Sequence, residues 1–135
     1  MKLITYLHFN GNCEDALHFY KKCFRGKILE FSRMSESSIP IPESHKDKVM
    51  HSRFQFGDNL IYMSDVLPGN ISQEGSNIRL TLEFKDKKRM NDLFEKLSEG
   101  GRIVMPIQDT FWHSRFGQCV DQFGIHWMMN CELKG

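Results

Sequence analysis

The tetrapeptide His-Ser-Arg-Phe occurs twice in this chain of 135 residues, at 51–54 and again at 113–116. Four letters alone do not distinguish chance from an internal duplication, but a duplication predicts that the surrounding pattern also repeats. The hydrophobic pattern does repeat: a strand, a helix and three further strands are predicted twice, in the same order. The sequence therefore predicts two pseudosymmetric βαβββ modules, at 1–66 and 77–135, joined by a linker at 67–76.

The first module is predicted to contain four strands, at 3–9, 27–34, 49–56 and 60–65. Its helix is expected to start after Asn12 as N-cap and to be closed by Gly26. The second module is predicted to contain strands at 77–84, 102–107, 112–120 and 125–131, with a helix capped by Asp86. Each HSRF is expected to open the third strand of its own module.

Composition excludes several classes of function. The net charge of +1 and the lack of a basic stripe argue against nucleic acid as a partner. No apolar run approaches the roughly 20 residues of a membrane span, and the N-terminus has no secretory pattern. The four cysteines have no CxxC spacing, which favours reduced thiols in a cytoplasmic protein.

Several stretches together resemble one known superfamily. They are YLHFNGNCEDALHFY (6–20), VMHSRFQFGD (49–58), MSD (63–65), MPIQDTFW (105–112) and DQFGIHWMMNC (121–131). The chain resembles the vicinal oxygen chelate (VOC) superfamily, which includes glyoxalase I, bleomycin-resistance proteins and extradiol dioxygenases, and within it the PhnB-like branch. The resemblance implies one α+β domain over 1–135, whose two modules form a cup-shaped, partly open barrel around a ligand cavity. It also implies a homodimer, because proteins of this superfamily commonly pair.

Strand alternation predicts which side chains line that cavity. Leu7 and Phe9 are expected under the first helix, so Tyr6 and His8 face the cavity. In the two HSRF strands Phe54, Phe56 and Phe116 are expected on the helix side, so that the His and Arg residues face the cavity. The predicted ligand-binding residues are Tyr6, His8, His51, Arg53, Tyr62, Arg79, Glu83, Trp112, Arg115 and Met128.

His8, His51 and Glu83 are the candidates for acid–base chemistry. His8 and Glu83 each precede a matched Phe, so pseudosymmetry predicts that they approach one another across the two-fold axis. Each also has a purely structural interpretation, since a strand histidine or a lone strand carboxylate is often simply solvent-exposed. Trp112 is either packing or a wall of the pocket.

A divalent ion is usual in enzymes of this superfamily, where it acts as a Lewis acid. The corresponding ligand positions fall at Ile4, Tyr62, Arg79 and Met128, none of which is a His or a carboxylate. A displaced site built from His8, His51 and Glu83 is the remaining option. We therefore expect no metal and no other cofactor.

The favoured functional hypothesis is a metal-free cavity that binds a small organic molecule, with an anion favoured by Arg53, Arg79 and Arg115. The sequence leaves open whether the ligand is turned over. The alternative is a metal-dependent lyase, isomerase or dioxygenase of glyoxalase type. A methyltransferase, a name attached to this branch, is disfavoured because no glycine-rich nucleotide loop follows the first strand.

Overall fold

The computed structural model describes residues 1–133, which divide into two compact units, Met1–Gln73 and a second unit from Glu74 onward. The first unit contains, in chain order, β1 (Thr5–Phe9), α1 (Cys13–Phe24), β2 (Lys27–Arg33), β3 (Val49–Phe56) and β4 (Asn59–Asp65). Its strands form one sheet in the order β1-β4-β3-β2. Only β1 and β4 run parallel to one another, whereas the other neighbours are antiparallel.

The second unit repeats this topology. It contains β5 (Leu80–Phe84), α2 (Lys87–Ser98), β6 (Arg102–Asp109), β7 (Ser114–Val120) and β8 (His126–Glu132). The sheet order is β5-β8-β7-β6, again with one parallel pair, β5 and β8. The predicted α+β class and the two βαβββ modules are therefore confirmed, and the organisation of both modules as one domain stays a prediction.

Three predicted strands begin two or three residues later than the hydrophobic pattern indicates. β1 begins at Thr5, β5 at Leu80 and β7 at Ser114. In the two parallel pairs, the first paired residues are Thr5 with Ile61 and Leu80 with Trp127. Ladder hydrogen bonds define a strand, so apolar residues that precede the ladder do not extend it.

Each helix covers one face of its own sheet with an apolar stripe. In the first unit the buried residues of α1 are Cys13, Ala16, Leu17, Tyr20 and Phe24. Leu7, Phe9, Phe54 and Met63 are the buried strand residues beneath them. In the second unit α2 buries Met90, Leu93, Phe94 and Leu97, and β8 contributes Trp127, Met129 and Cys131. No helix among residues 1–133 is long and apolar enough to cross a membrane.

The two HSRF segments do not occupy equivalent places, so the prediction that each opens its third strand in the same way is wrong. Leu7 pairs with Met63 in the first sheet, and Leu82 pairs with Met129 in the second, which makes the two methionines equivalent. Met63 pairs onward with Ser52, whereas Met129 pairs with Gly117. The second HSRF therefore lies three residues earlier in its strand than the first.

A shift by an odd number of residues reverses the faces of a strand. Gly117 lies on the helix side of β7, because a Cβ there would come within 3.0 Å of Phe94 Cε2 of α2. Phe116 therefore points away from α2, beside Asn130, and its predicted position under the helix is wrong. Arg115 lies on the helix side, paired with Cys131, and not on the face predicted for it. His113 precedes the strand, in a turn with φ of 61°.

The N-terminus of α1 is capped by Asp65 of β4 and not, as predicted, by Asn12, whose side chain makes no cap hydrogen bond. Asp65 Oδ1 accepts hydrogen bonds from the backbone N–H groups of Gly11 at 3.0 Å and Cys13 at 2.9 Å. Its Oδ2 accepts from Val49 N–H, the first residue of β3, at 2.9 Å. The carboxylate is only 5% exposed, and these three donors satisfy it where water does not. In the second unit Asp86 caps α2, as predicted, by accepting from Lys88 N–H.

The C-terminus of α1 also differs from the prediction. Arg25, with φ of 54°, adopts the left-handed conformation that the pattern assigned to Gly26. Gly26 is required for a different reason, because a Cβ there would lie 2.5 Å from both Gln55 O and Phe54 Cζ. The glycine thus permits the close approach of the helix end to β3.

Replacement of Asp65 by Ala should destabilise the protein by roughly 3 kcal/mol or more, because three backbone donors lose their acceptor. Asp65→Asn, which retains one acceptor oxygen, should cost less. Denaturant unfolding followed by circular dichroism measures both free energies of unfolding. The matched control is Asp86→Ala, which removes one exposed cap bond and should cost about 1 kcal/mol. Equal losses in Asp65→Ala and Asp86→Ala would contradict the role assigned to Asp65.

Candidate functional site

The face of the first sheet that points away from α1 carries a polar and aromatic cluster. Its members alternate with the buried residues of β1, β3 and β4, and cross-strand pairing brings them together. Tyr6 pairs with Tyr62, His8 with Ser64, and Arg53 with Tyr62. We call this group, consisting of Tyr6, His8, His51, Arg53, Tyr62 and Ser64, the open-face cluster.

The rings of the cluster contact one another with defined geometry. Tyr6 and His8 are stacked, with ring centroids 4.6 Å apart and an interplanar angle of 21°. His51 meets Tyr62 edge to face, at 5.4 Å and 89°. Tyr6 and Tyr62 are also edge to face, at 6.0 Å. Aromatic pairs in these arrangements favour a fixed set of rotamers, so the cluster presents an ordered surface.

A short chain of hydrogen bonds joins three of these side chains. Tyr6 Oη donates to Ser64 Oγ at 3.1 Å and lies 3.3 Å from His51 Nδ1. Ser64 is only 4% exposed, whereas Tyr6 is 39% exposed. The chain therefore runs from the interior of the sheet to its surface and links β4, β1 and β3.

Arg53 supplies the positive charge of the cluster. Its guanidinium carbon lies 4.8 Å from the centroid of the Tyr62 ring, in a cation–π contact. Its Nε is 3.4 Å from Glu30 Oε2 of β2, but this buried nitrogen makes no hydrogen bond. Neither Nη atom has a hydrogen-bond partner among residues 1–133, and neither is buried. The four N–H groups on the two Nη atoms therefore remain available to a ligand.

A cleft of about 390 Å³ lies at the C-terminal ends of β1 and β4, next to this cluster. Its lining combines members of the cluster with apolar residues of the following segment: Tyr6, His8, Met50, Ser64, Asp65, Val66, Leu67 and Asn70. The volume falls within the range of small-molecule sites. Sequence reasoning did not identify Met50, Leu67 or Asn70, because they belong to a strand end and a linker with no periodicity.

The sequence also did not reveal the pairing of Glu30 with Arg53. The ladder between β2 and β3 shifts register between Ile28 and Glu30. A bulge of this kind changes which side chains share a face, and simple alternation does not detect it. The opposite charges on neighbouring predicted strands were the one available signal.

The five candidate residues of the second unit do not form a comparable cluster. Glu83 is exposed and accepts a hydrogen bond from Asn130 Nδ2 at 3.0 Å. Met128 pairs with Thr81 on the same side of the sheet, and Arg79 is exposed, before the start of β5. Trp112 is 55% exposed and packs edge to face on Phe111. The predicted approach of His8 to Glu83 concerns two different units and stays a prediction.

Arg115 is already engaged within its own unit. Its Nε donates to Asp109 Oδ1 at 2.8 Å. This hydrogen bond holds the pKa of the Asp109 carboxyl below its usual range, and it raises that of the guanidinium. Arg115 and Asp109 line a separate, shallower site with Asn91 of α2, which lies on the helix side of the sheet. A ligand bound by Arg115 would therefore lie on the helix side of the second sheet, and not on the face predicted for this residue.

The side chains at the superfamily's metal positions do not suit a hard divalent ion. Ile4 and Met128 offer no hard donor, and Arg79 is a cation. The remaining position, Tyr62, has its ring in contact with both the His51 ring and the Arg53 guanidinium. Among residues 1–133 there is no group of three or more His, Cys, Asp or Glu side chains arranged to hold a metal ion.

Two buried cysteines, Cys13 and Cys119, are poorly suited to nucleophilic chemistry. Burial, aided by the nearby Asp65 carboxylate, raises the pKa of the Cys13 thiol. Burial also raises the pKa of Cys119. Because the thiolate is the nucleophile, both groups remain inert at neutral pH.

The sequence model of the 3-demethylubiquinone-9 3-methyltransferase family matches residues 1–130. The chain belongs to this family. Protein YjdN of Escherichia coli strain K12 is 31% identical over 141 residues, which cover 96% of this chain and 95% of YjdN. The crystal structure of protein PA1353 from Pseudomonas aeruginosa shares 34% identity, covers 99% of both chains and superposes with a TM-score of 0.89.

More distant structures share the fold of this family. The PhnB protein from Bacillus cereus, described as a putative 3-demethylubiquinone-9 3-methyltransferase, is 24% identical, with 99% of this chain and 100% of that chain covered and a TM-score of 0.82. A glyoxalase/bleomycin resistance protein/dioxygenase from Nocardioides is 17% identical, with 100% and 86% covered and a TM-score of 0.61. The resemblance to the PhnB-like branch of the VOC superfamily is confirmed.

Proposed function

We propose that this PhnB-like protein binds a small planar organic anion at the open-face cluster of the first sheet, without a metal ion. The observation that carries the proposal is the arrangement of Arg53 among aromatic rings. A ligand would place its anionic group at the Arg53 guanidinium and its flat ring against Tyr6, His8 or Tyr62. It would thus use both the positive charge and the aromatic rings of this surface.

The charge on Arg53 is the first element of the proposal. Glu30 contacts the guanidinium at Nε, and the two Nη atoms, which make no hydrogen bond among residues 1–133, remain free to donate to a carboxylate. The Tyr62 ring beneath the guanidinium restricts its orientation. A preorganised fork of this kind favours planar, bidentate acceptors over spherical anions.

The rings and the neighbouring cleft determine the size and shape of the ligand. Tyr6 and His8 border the cleft and expose aromatic surface to it. Met50 and Leu67 add apolar contacts, which hold the hydrocarbon part of a ligand. A single aromatic ring with one acidic substituent matches this combination.

The names of the relatives do not decide between binding and turnover. One solved relative is described as a putative methyltransferase, and another belongs to a group that includes dioxygenases. The metal-dependent lyase or dioxygenase remains the alternative, but Ile4, Arg79 and Met128 lack the ligand chemistry that it needs. Reversible binding requires only the residues of the open-face cluster.

Benzoate is a direct probe of this proposal. Isothermal titration should detect binding of benzoate but not of benzamide, its neutral analogue, and EDTA treatment should leave the affinity unchanged. Arg53→Gln should weaken binding about tenfold or more, because a charge-assisted hydrogen bond is lost. The matched control is Arg89→Gln, which removes an exposed arginine of α2 and should bind like the unmodified protein.

Equal binding of benzoate and benzamide would contradict the anion preference. Unchanged affinity in Arg53→Gln would place the site elsewhere. Loss of binding after EDTA treatment, with recovery on addition of a divalent metal, would support the metal-dependent alternative.

We also propose that the protein is a cytoplasmic homodimer. Apolar side chains stay exposed on edge strands of both sheets, including Leu29 and Phe31 of β2 and Ile103 of β6. Edge strands with exposed apolar residues favour pairing with another chain. Light scattering should give twice the mass of the chain, whereas a concentration-independent monomer mass would exclude the dimer.

A further inference from the structure

We propose that Nε2 of His51 is a proton acceptor for an acidic hydroxyl group of the ligand, so that the site selects a phenol or enol and binds it as the anion. This inference rests on the proposed function, because it assumes that the ligand lies on the open-face cluster. It adds the substrate class and the atom that receives the proton.

The hydrogen-bond chain supports the tautomer of His51 that carries its proton on Nδ1. A phenol has a single proton, and Tyr6 Oη directs that proton to Ser64 Oγ at 3.1 Å. In this arrangement the contact of 3.3 Å between His51 Nδ1 and Tyr6 Oη is made by the ring N–H as donor. With the proton of the neutral imidazole on Nδ1, the lone pair lies on Nε2.

That lone pair is available. Among residues 1–133 no side chain or backbone group makes a hydrogen bond to His51 Nε2, and the atom is not among the buried unsatisfied ones. The edge-to-face contact with Tyr62 and the hydrogen bond from Nδ1 both restrict rotation of the ring. In this step Tyr6 and Ser64 thus position the His51 ring, and His51 is the residue that receives the proton.

The transfer itself is a balanced acid–base step. The O–H bond of the ligand breaks, an N–H bond forms at Nε2, and the products are a ligand anion and an imidazolium. Arg53 follows His51 on the same face of β3, about 7 Å along the strand, and its Nη atoms favour the anion.

The remaining charged and titratable groups around His51 do not remove this preference. Glu30 on β2 is paired with Arg53, and the Asp65 carboxylate of β4 is occupied by three N–H donors. His8 stacks on the Tyr6 ring. The two groups that contact the His51 ring, Tyr6 and Tyr62, are phenols. Within the first unit, the arrangement of charge therefore favours a bound anion over a bound neutral phenol.

The probe for this inference is 4-nitrophenol, whose anion absorbs in the visible range. We expect that the apparent pKa of protein-bound 4-nitrophenol, measured by absorbance against pH, is lowered by roughly one unit or more relative to the free compound. His51→Gln should abolish this shift, because the proton acceptor is lost. Tyr6→Phe should reduce the shift, because Nδ1–H loses its acceptor and this tautomer is no longer favoured. His18→Gln, an exposed histidine of α1, should behave like the unmodified protein.

The outcomes separate this inference from the proposed function. If 4-nitrophenol binds without a shift, or if the shift survives in His51→Gln, the inference is wrong although the binding site stands. If neither 4-nitrophenol nor benzoate binds, the proposed function fails and the inference fails with it. If circular dichroism shows that His51→Gln does not fold, the 4-nitrophenol titration of Tyr6→Phe decides. An apparent pKa of the bound phenol equal to that in the unmodified protein would then overturn the inference.

Discussion

The structure of the first unit depends on one buried carboxylate. Asp65 ends β4 and accepts backbone hydrogen bonds from the turn before α1, from the first residue of α1 and from the first residue of β3. A charge in this place is stabilised by the positive end of the helix dipole as well as by the three donors. Asp65 in this way joins β4 to β3 and to the turn that follows β1, and these three strands carry the open-face cluster.

The second unit repeats the topology without this device. The residue equivalent to Asp65 is Cys131, which pairs with Phe84 as Asp65 pairs with Phe9. α2 is instead capped from within its own chain segment, by Asp86. The face equivalent to the open-face cluster contains the uncharged residues Phe116, Met128 and Asn130, together with Glu83, which is the counterpart of His8. The two modules have therefore diverged in chemistry while keeping one fold, and the positive charge proposed to bind the ligand lies in the first.

The sequence predicted much of the fold, and it predicted the first unit better than the second. The alternation of Leu7 and Phe9 with Tyr6 and His8 correctly assigned the two faces of β1, because a half-buried strand has a strict period of two. The repeated HSRF predicts the wrong faces for β7, because identical letters do not occupy identical positions in the two modules and the three-residue offset depends on pairing with β8. The roles of Asp65 and Glu30 depend on side-chain hydrogen bonds and a bulge between distant segments. Local periodicity contains no information about either.

The central claim is that the ligand site lies on the open face of the first sheet. The most direct test is to titrate the protein with benzoate and to follow the chemical shifts of its backbone amides by NMR. The account predicts that the largest chemical-shift changes occur at residues of the open-face cluster on β1, β3 and β4, with small changes on the solvent side of α1. Changes confined to the second unit or to α1 would contradict the account.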